Sequence, residues 1–144
     1  MDLRTRVLIV DDEVALADTL ALQLEHEGFG VDTAHNGADA LRLLRTNDYD
    51  AVVCDVLMPI MDGERLYEQV LTERPRFASR FIFMSATSTM LASATQRFVR
   101  STSLDLHKPF SESQLLASLS RIIPPMRWPK PPASRSQDAA TKKL

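Results

Sequence analysis

Two hydrophobic patterns alternate along this chain. Short blocks of continuous apolar residues are followed by stretches in which apolar side chains recur every three or four positions. Val7-Leu-Ile-Val10 is the first block and stops at Asp11-Asp12, as a strand buried on both faces would. From Val14 to Glu27 the period becomes helical, with Ala17, Leu20, Ala21 and Leu24 on one face and Gly28 placed to end the helix. Val31–Ala34 reads as a second short strand, and Asn36-Gly37 as a turn into a helix carrying Ala40, Leu41 and Leu44.

The alternation continues through the rest of the chain. Ala51–Cys54 is an apolar strand ending at Asp55, and Met58-Pro59 opens a loop. Asp62-Gly63 begins a helix with Leu66, Val70 and Leu71 as its apolar positions, which stops before Pro75. Phe81–Met84 predicts a fourth strand ending at Ser85, followed by a weaker helix over roughly Met90 to Val99. Leu104–Leu106 is a fifth strand interrupted by Asp105, and Ser111 is placed to cap a last helix that turns Leu115, Leu119 and Ile122 inward.

Five strand–helix pairs in strict alternation predict an α/β fold, a doubly wound five-stranded parallel sheet with helices on both faces. The flavodoxin-like strand order 2-1-3-4-5 is the simplest such solution, and its ligands bind beyond the carboxyl ends of the strands. After Ile123 the chain changes in kind: five of the eight prolines lie between Pro124 and Pro132, and the remainder is small or charged. Residues 1–123 are therefore expected to form the folded domain. Residues 124–144 are expected to be a basic, extended or disordered tail, with Trp128 the one residue in it suited to docking.

Charge sharpens this division. The tail holds Arg127, Lys130, Arg135, Lys142 and Lys143 against Asp138, which leaves the body of 1–123 with a net charge of −6. An acidic body does not suit nucleic acid, where phosphate contacts carry much of the affinity. The single cysteine, Cys54, has no internal partner, no apolar run approaches the ~20 residues of a membrane span, and the amino terminus has no signal-peptide pattern. A cytoplasmic, soluble protein without membrane insertion is expected. By strand alternation Cys54 points away from the neighbouring Asp55 and into the core.

The polar residues gather where the fold expects a ligand. Asp11 and Asp12 follow the first strand, Asp55 the third, Ser85 the fourth and Lys108 the fifth, all on one edge of the sheet. Any one of them suits a turn, but five on the same edge imply a site. Three crowded carboxylates call for a cation, and hard oxygen ligands favour Mg²⁺. An Asp carboxylate can attack phosphorus to give an aspartyl-phosphate. The ammonium of Lys108 and the hydroxyl of Ser85 suit charge neutralisation around a phosphoryl group.

Val-Asp11-Asp12-Glu13, Cys54-Asp55-Val-Leu-Met58-Pro59 with Met61-Asp62-Gly63, Met84-Ser85-Ala86 and Lys108-Pro109-Phe110 resemble the motifs of response-regulator receiver domains, in order and spacing, over about residues 4–123. The resemblance implies that Asp55 is the phosphoacceptor. It implies Mg²⁺ held by Asp12, by Asp11 mainly through water, by Asp55 and by the backbone carbonyl of Leu57. Ser85 matches the hydroxyl residue that meets the phosphoryl group, Ala86 its small neighbour with an available N–H, and Lys108 the phosphate-pairing lysine. Lys108–Pro109 matches a peptide bond that is often cis in the family. The implied partners are a histidine kinase or histidine phosphotransfer protein and an unknown downstream protein, and turnover of an external substrate is not implied. Many receivers carry Tyr or Phe three residues before the lysine, where this chain has Asp105, which puts aromatic readout in question. The stretch from Glu73 to Met84 also resembles receivers that accompany hybrid histidine kinases.

Two other function classes make different predictions. A phosphorylation-independent adaptor would keep the fold without using Asp55. A nucleotide hydrolase would need a phosphate-cradling G-x-x-x-x-G-K-[ST] loop, which is absent from a sequence with four glycines. His26, His35 and His107 read as helix-end, turn and site-rim residues, and Met58 and Met61 as loop packing.

Overall fold

The computed structural model describes residues 4–86 and 104–130, and the helix expected over Met90 to Val99 lies outside them. Five parallel strands, β1 (Arg6–Val10), β2 (Gly30–Ala34), β3 (Ala51–Asp55), β4 (Phe81–Ser85) and β5 (Leu104–His107), form one sheet in the order β2-β1-β3-β4-β5. This is the expected flavodoxin-like arrangement. The strands are short and apolar because both faces are covered: every residue of β3 and of β4 is buried.

Alternation along the strands sends side chains into two cores. Val7, Ile9, Ala51, Val53, Ile82 and Met84 meet α1 (Val14–His26) and α4 (Glu112–Ile122) through Leu20, Leu24, Leu115 and Leu119. Leu8, Val10, Val52, Cys54, Phe81 and Phe83 face α2 (Gly37–Thr46) and α3 (Gly63–Glu73) through Leu41, Leu44, Leu66, Tyr67 and Val70. Cys54 is fully buried in this second core, as its alternation predicts. Leu71 differs from expectation: it is 48% exposed, and Tyr67 takes the inward place beside Leu66 and Val70.

Local chemistry sets the helix ends. The side chains of Asn36 and Asp62 accept from the backbone N–H groups of Asp39 and Arg65. Ser111 and Gln114 form a reciprocal capping box at the start of α4. At the end of α1, Gly28 donates to the Glu25 carbonyl and Phe29 to that of Leu24, each near 3 Å, with Gly28 at φ +101°. That pairing is a Schellman turn, and its left-handed residue is the one that glycine adopts without strain.

Residues beyond the boundary expected at residue 123 are described as far as Lys130. Residues 124–130 do not leave the body as an extended tail. Pro125–Arg127 forms a short 3₁₀ turn, and Trp128 stands edge-on to Phe29 with ring centroids 5.2 Å apart. Proline composition disfavours long regular structure, but it does not prevent docking of a short turn whose aromatic and cationic side chains find partners. Residues 131–144 lie outside the described residues.

Candidate functional site

The carboxyl ends of the strands deliver the site. Asp11 and Asp12 follow β1 directly, Asp55 is the last residue of β3, and Lys108 follows β5. Asp11, Asp12 and Asp55 can each offer one carboxylate oxygen within 4.8 Å of the others. Lys108 Nζ donates to Asp11 Oδ2 at 2.8 Å and lies 3.6 Å from Asp55 Oδ2. These four residues, expected together from the sequence, are thus adjacent in space. Ser85, the last residue of β4, is fully buried, and its carbonyl accepts from the Lys108 N–H at 2.8 Å, which ties β4 to the lysine's backbone. Leu57 lies on the loop after β3 and is exposed, as is Ala86 after β4. The Lys108–Pro109 peptide bond is cis.

Asp11 is locked in place. Its side chain is fully buried, its Oδ1 accepts from the Glu13 N–H at 2.9 Å, and its own N–H donates to the Ala34 carbonyl. His35 Nδ1 lies 3.2 Å from the Asp11 carbonyl oxygen, a contact that a turn histidine did not suggest from sequence. Its only sequence signal is that His35 follows the strand paired beside β1. Asp12, by contrast, is exposed. Asp55 lies between these conditions, with its side chain 12% exposed.

The electrostatics follow from this crowding. Burial pushes the Asp55 carboxyl up to about 6 from 3.8; the Asp11 charge adds to the rise, Lys108 opposes it and Asp12 adds again. Burial alone would lower the pKa of Lys108. The hydrogen bond to Asp11 and the charges of Asp55, Asp11 and Glu13 together outweigh it and hold the value above the ordinary one. Burial, with the Asp55 charge second, keeps the Cys54 thiol well above its usual range, and its S–H donates to the Asp55 carbonyl at 3.2 Å. Cys54 is therefore a protonated core residue rather than a nucleophile.

The loop beyond β3 is shaped by close backbone approach. A Cβ on Gly63 would lie 2.5 Å from the Asp55 carbonyl oxygen, so only glycine lets α3 begin against the end of β3. Gly63 also donates to the Val56 carbonyl at 2.9 Å. Ile60, 78% exposed with φ +71°, is held in the left-handed region, an uncommon state for a β-branched residue. Met58 and Met61 pack partly buried against the core beneath the loop.

The donor set fits a small, hard divalent cation. Three carboxylates converge with one ammonium as their cation among the described residues, and oxygen ligands in that number suit Mg²⁺, which retains waters and uses phosphate oxygens. No helix among the described residues is long and apolar enough to cross a membrane.

The family model described as the response regulator receiver domain matches residues 7–120. The transcriptional regulatory protein CutR of Streptomyces coelicolor is 31% identical over 127 residues, covering 88% of this chain and 57% of that protein. ResD of Bacillus subtilis, also a transcriptional regulatory protein, is 29% identical over 83% of this chain and 48% of its own length. The chain thus spans about half the length of the curated relatives it matches. Among solved structures, the response regulator TrrA from Thermotoga maritima in complex with Mg²⁺–BeF is 25% identical with a TM-score of 0.72, covering 83% of this chain and 99% of that one. The chemotaxis protein CheY4 of Vibrio cholerae is 25% identical with a TM-score of 0.74 over the same shares. Receiver domains of two-component systems transduce signals by phosphorylation on an aspartate and bind Mg²⁺ at an acidic pocket, and they do not generally turn over a substrate. With its fold, its acidic pocket and this match across most of its length, the chain belongs to the response regulator receiver domain family.

Proposed function

We propose that Asp55 is the phosphoacceptor of this receiver and that it takes its phosphoryl group from a phosphohistidine on a histidine kinase or histidine phosphotransfer protein. The observation that carries the reading is the convergence of Asp11, Asp12 and Lys108 on the one carboxylate that ends β3. An Asp55 carboxylate oxygen attacks phosphorus, the phosphorus–nitrogen bond of the donor breaks, and the imidazole leaves with the electron pair. Little covalent chemistry is asked of the protein, so its part is positioning and charge neutralisation.

Asp11, Asp12, Asp55 and the Leu57 backbone carbonyl would hold Mg²⁺, which supplies Lewis-acid neutralisation of phosphoryl oxygens when bound. Lys108 pairs with a phosphoryl oxygen; the short step from Asp11 to Asp55, already spanned by its ammonium, allows this without a large movement. The Ser85 hydroxyl and the Ala86 N–H donate to the remaining oxygens. The same groups support hydrolysis of the acyl phosphate by water, so the domain catalyses its own phosphorylation and dephosphorylation without an external substrate.

Phosphorylation shifts a two-state equilibrium in the loop after β3 and the helix that follows it, while the expected share of the loop and helix after β4 lies outside the described residues; the output is altered binding to a downstream protein. Asp105 stands three residues before the lysine, where many receivers carry an aromatic, and is exposed on β5, which puts aromatic readout in question. Intact mass after incubation with Mg²⁺ and a small acyl phosphodonor tests the chemistry. One phosphoryl adduct is expected on the wild type and none on Asp55→Ala. An equal adduct on both, or none on either, would refute the assignment and favour an adaptor that works without phosphorylation.

A further inference from the structure

At the pole of the sheet opposite the acidic pocket, the carboxy-terminal segment meets three parts of the body at once. The Thr5 hydroxyl donates to the Arg127 carbonyl, and the Arg127 guanidinium reaches Asp50 Oδ2 at 3.0 Å. The Trp128 ring meets that of Phe29 at 87°, and Phe29 is fully buried. Backbone packs on backbone beyond this. A Cβ on Gly28 would lie 2.8 Å from the Lys130 carbonyl oxygen and 3.2 Å from Pro129 Cβ, so the turn after α1 must be bare for the segment to lie there. Gly28 thus meets two demands, its positive φ and this clearance.

The contacts fall at the starts of three neighbouring strands, with Phe29 immediately before β2. Thr5 immediately precedes β1 and Asp50 immediately precedes β3. The Asp50 carboxylate also accepts from the Arg6 N–H at 2.9 Å, and the Asp50 N–H donates to the Arg6 carbonyl at 2.8 Å. Arg127 therefore closes a bridge over the two adjacent strands whose far ends carry Asp11 and Asp55.

We propose that Pro124–Lys130 is an intramolecular latch, a segment that fills a peptide groove at the amino-terminal pole through its Arg127-Trp128-Pro129 sequence. Trp128 is the apolar anchor on Phe29, Arg127 the ionic anchor on Asp50, and Gly28 the floor. The receiver's packed segment then runs past Ile123 at least to Lys130, on the side away from the acceptor. The groove recognises a short 3₁₀ turn that presents a cation directly before an aromatic residue, and its occupant is this chain's own segment in cis.

Trp128 is the only tryptophan, so its fluorescence reads the latch directly in the full chain. Acrylamide quenching of Trp128 is expected to be severalfold weaker than in a free peptide spanning residues 124–130, and independent of protein concentration in the range where sedimentation shows a monomer. Arg127→Ala, which leaves the Thr5 hydrogen bond to the backbone in place, is expected to raise quenching towards the peptide value, and Arg127→Lys to restore part of the protection. Peptide-like quenching in the wild type would overturn the latch, as would protection that Arg127→Ala leaves unchanged. Protection that appears only with dimerisation would overturn the cis occupant and show a segment exchanged between copies.

Discussion

Replacing Asp55 by Asn should stabilise the metal-free protein at neutral pH. The Asp55 carboxyl sits at about 6 in the folded protein against 3.8 when unperturbed. At ~1.4 kcal/mol per pKa unit, the difference of roughly 2.2 units sets an upper bound of about 3 kcal/mol on the cost of ionising it in place. Its side chain is 12% exposed, so residual solvation reduces the expected gain to about 1–2 kcal/mol. Lys108 is not orphaned by the change, because its hydrogen bond is to Asp11 and not to Asp55. The sign of the pH dependence is fixed. The folded-state value lies above the unfolded one, so the stability tied to the Asp55 proton is complete below about pH 3.8 and lost as pH rises through about 6. Asn has no such proton to lose. The advantage of Asp55→Asn should therefore be full at pH 8 and shrink as the pH falls from 6 towards 4. At about 4 °C per kcal/mol, thermal unfolding in chelator should show a rise in Tm of roughly 4–8 °C at pH 8. Millimolar Mg²⁺ should stabilise the wild type more than the variant and narrow the gap. A variant that is no more stable than wild type at pH 8, or whose advantage widens on acidification, would refute the reasoning.

Two further substitutions probe the same pocket from its supports. Lys108→Ala leaves the fully buried carboxylate of Asp11 without its cation, and urea unfolding without metal should show a loss of about 3 kcal/mol that Mg²⁺ largely restores; an undiminished midpoint would count against the pairing. Gly63→Ala forces a Cβ to within 2.5 Å of the Asp55 carbonyl oxygen, and should cost about 2–3 kcal/mol and slow formation of the phosphoryl adduct measured by intact mass.

What the sequence made legible depends on the range of the interactions involved. The strands were readable because each buries both faces, so its apolar run needs no knowledge of its neighbours. The clustering of Asp11, Asp12, Asp55 and Lys108 was readable for a related reason: in a parallel sheet all strands finish on one edge, so topology alone brings those residues together. Leu71 shows where periodicity loses resolution. Leu66 and Val70 define the face of α3, and either Tyr67 or Leu71 can complete it; the edge-on contacts of Tyr67 with Phe81 and Phe83 decide for Tyr67. The docked segment at 124–130 was not legible at all as structure. Its composition describes how a chain behaves alone, whereas its contacts reach 122 and 77 positions back, to Thr5 and Asp50. The His35 contact with Asp11 fails to announce itself for the same reason.

The two ends of β1 and β3 handle negative charge in opposite ways, and this separates holding the fold from doing chemistry. At the amino-terminal pole, Asp50 accepts from the Arg6 N–H and pairs with Arg127, so its charge is matched within the chain. At the carboxyl pole, Asp11, Asp12 and Asp55 share a single ammonium, Lys108, among the described residues, and the pocket carries an excess of two negative charges when all three are ionised. Burial first, and the neighbouring Asp11 and Asp12 charges after it, raise Asp55 to about 6 against the opposing pull of Lys108. A structural site would gain by removing a carboxylate, as the Asp55→Asn prediction states. A site for phosphoryl transfer would gain by keeping it, because a bound divalent cation would cancel the excess and leave Asp55 ionised, with Lys108 available to pair with phosphoryl oxygens, as the proposed function requires. On the proposed function, a divalent cation held by these carboxylates would cancel the excess, and the free energy of that binding would be what is available to move the equilibrium.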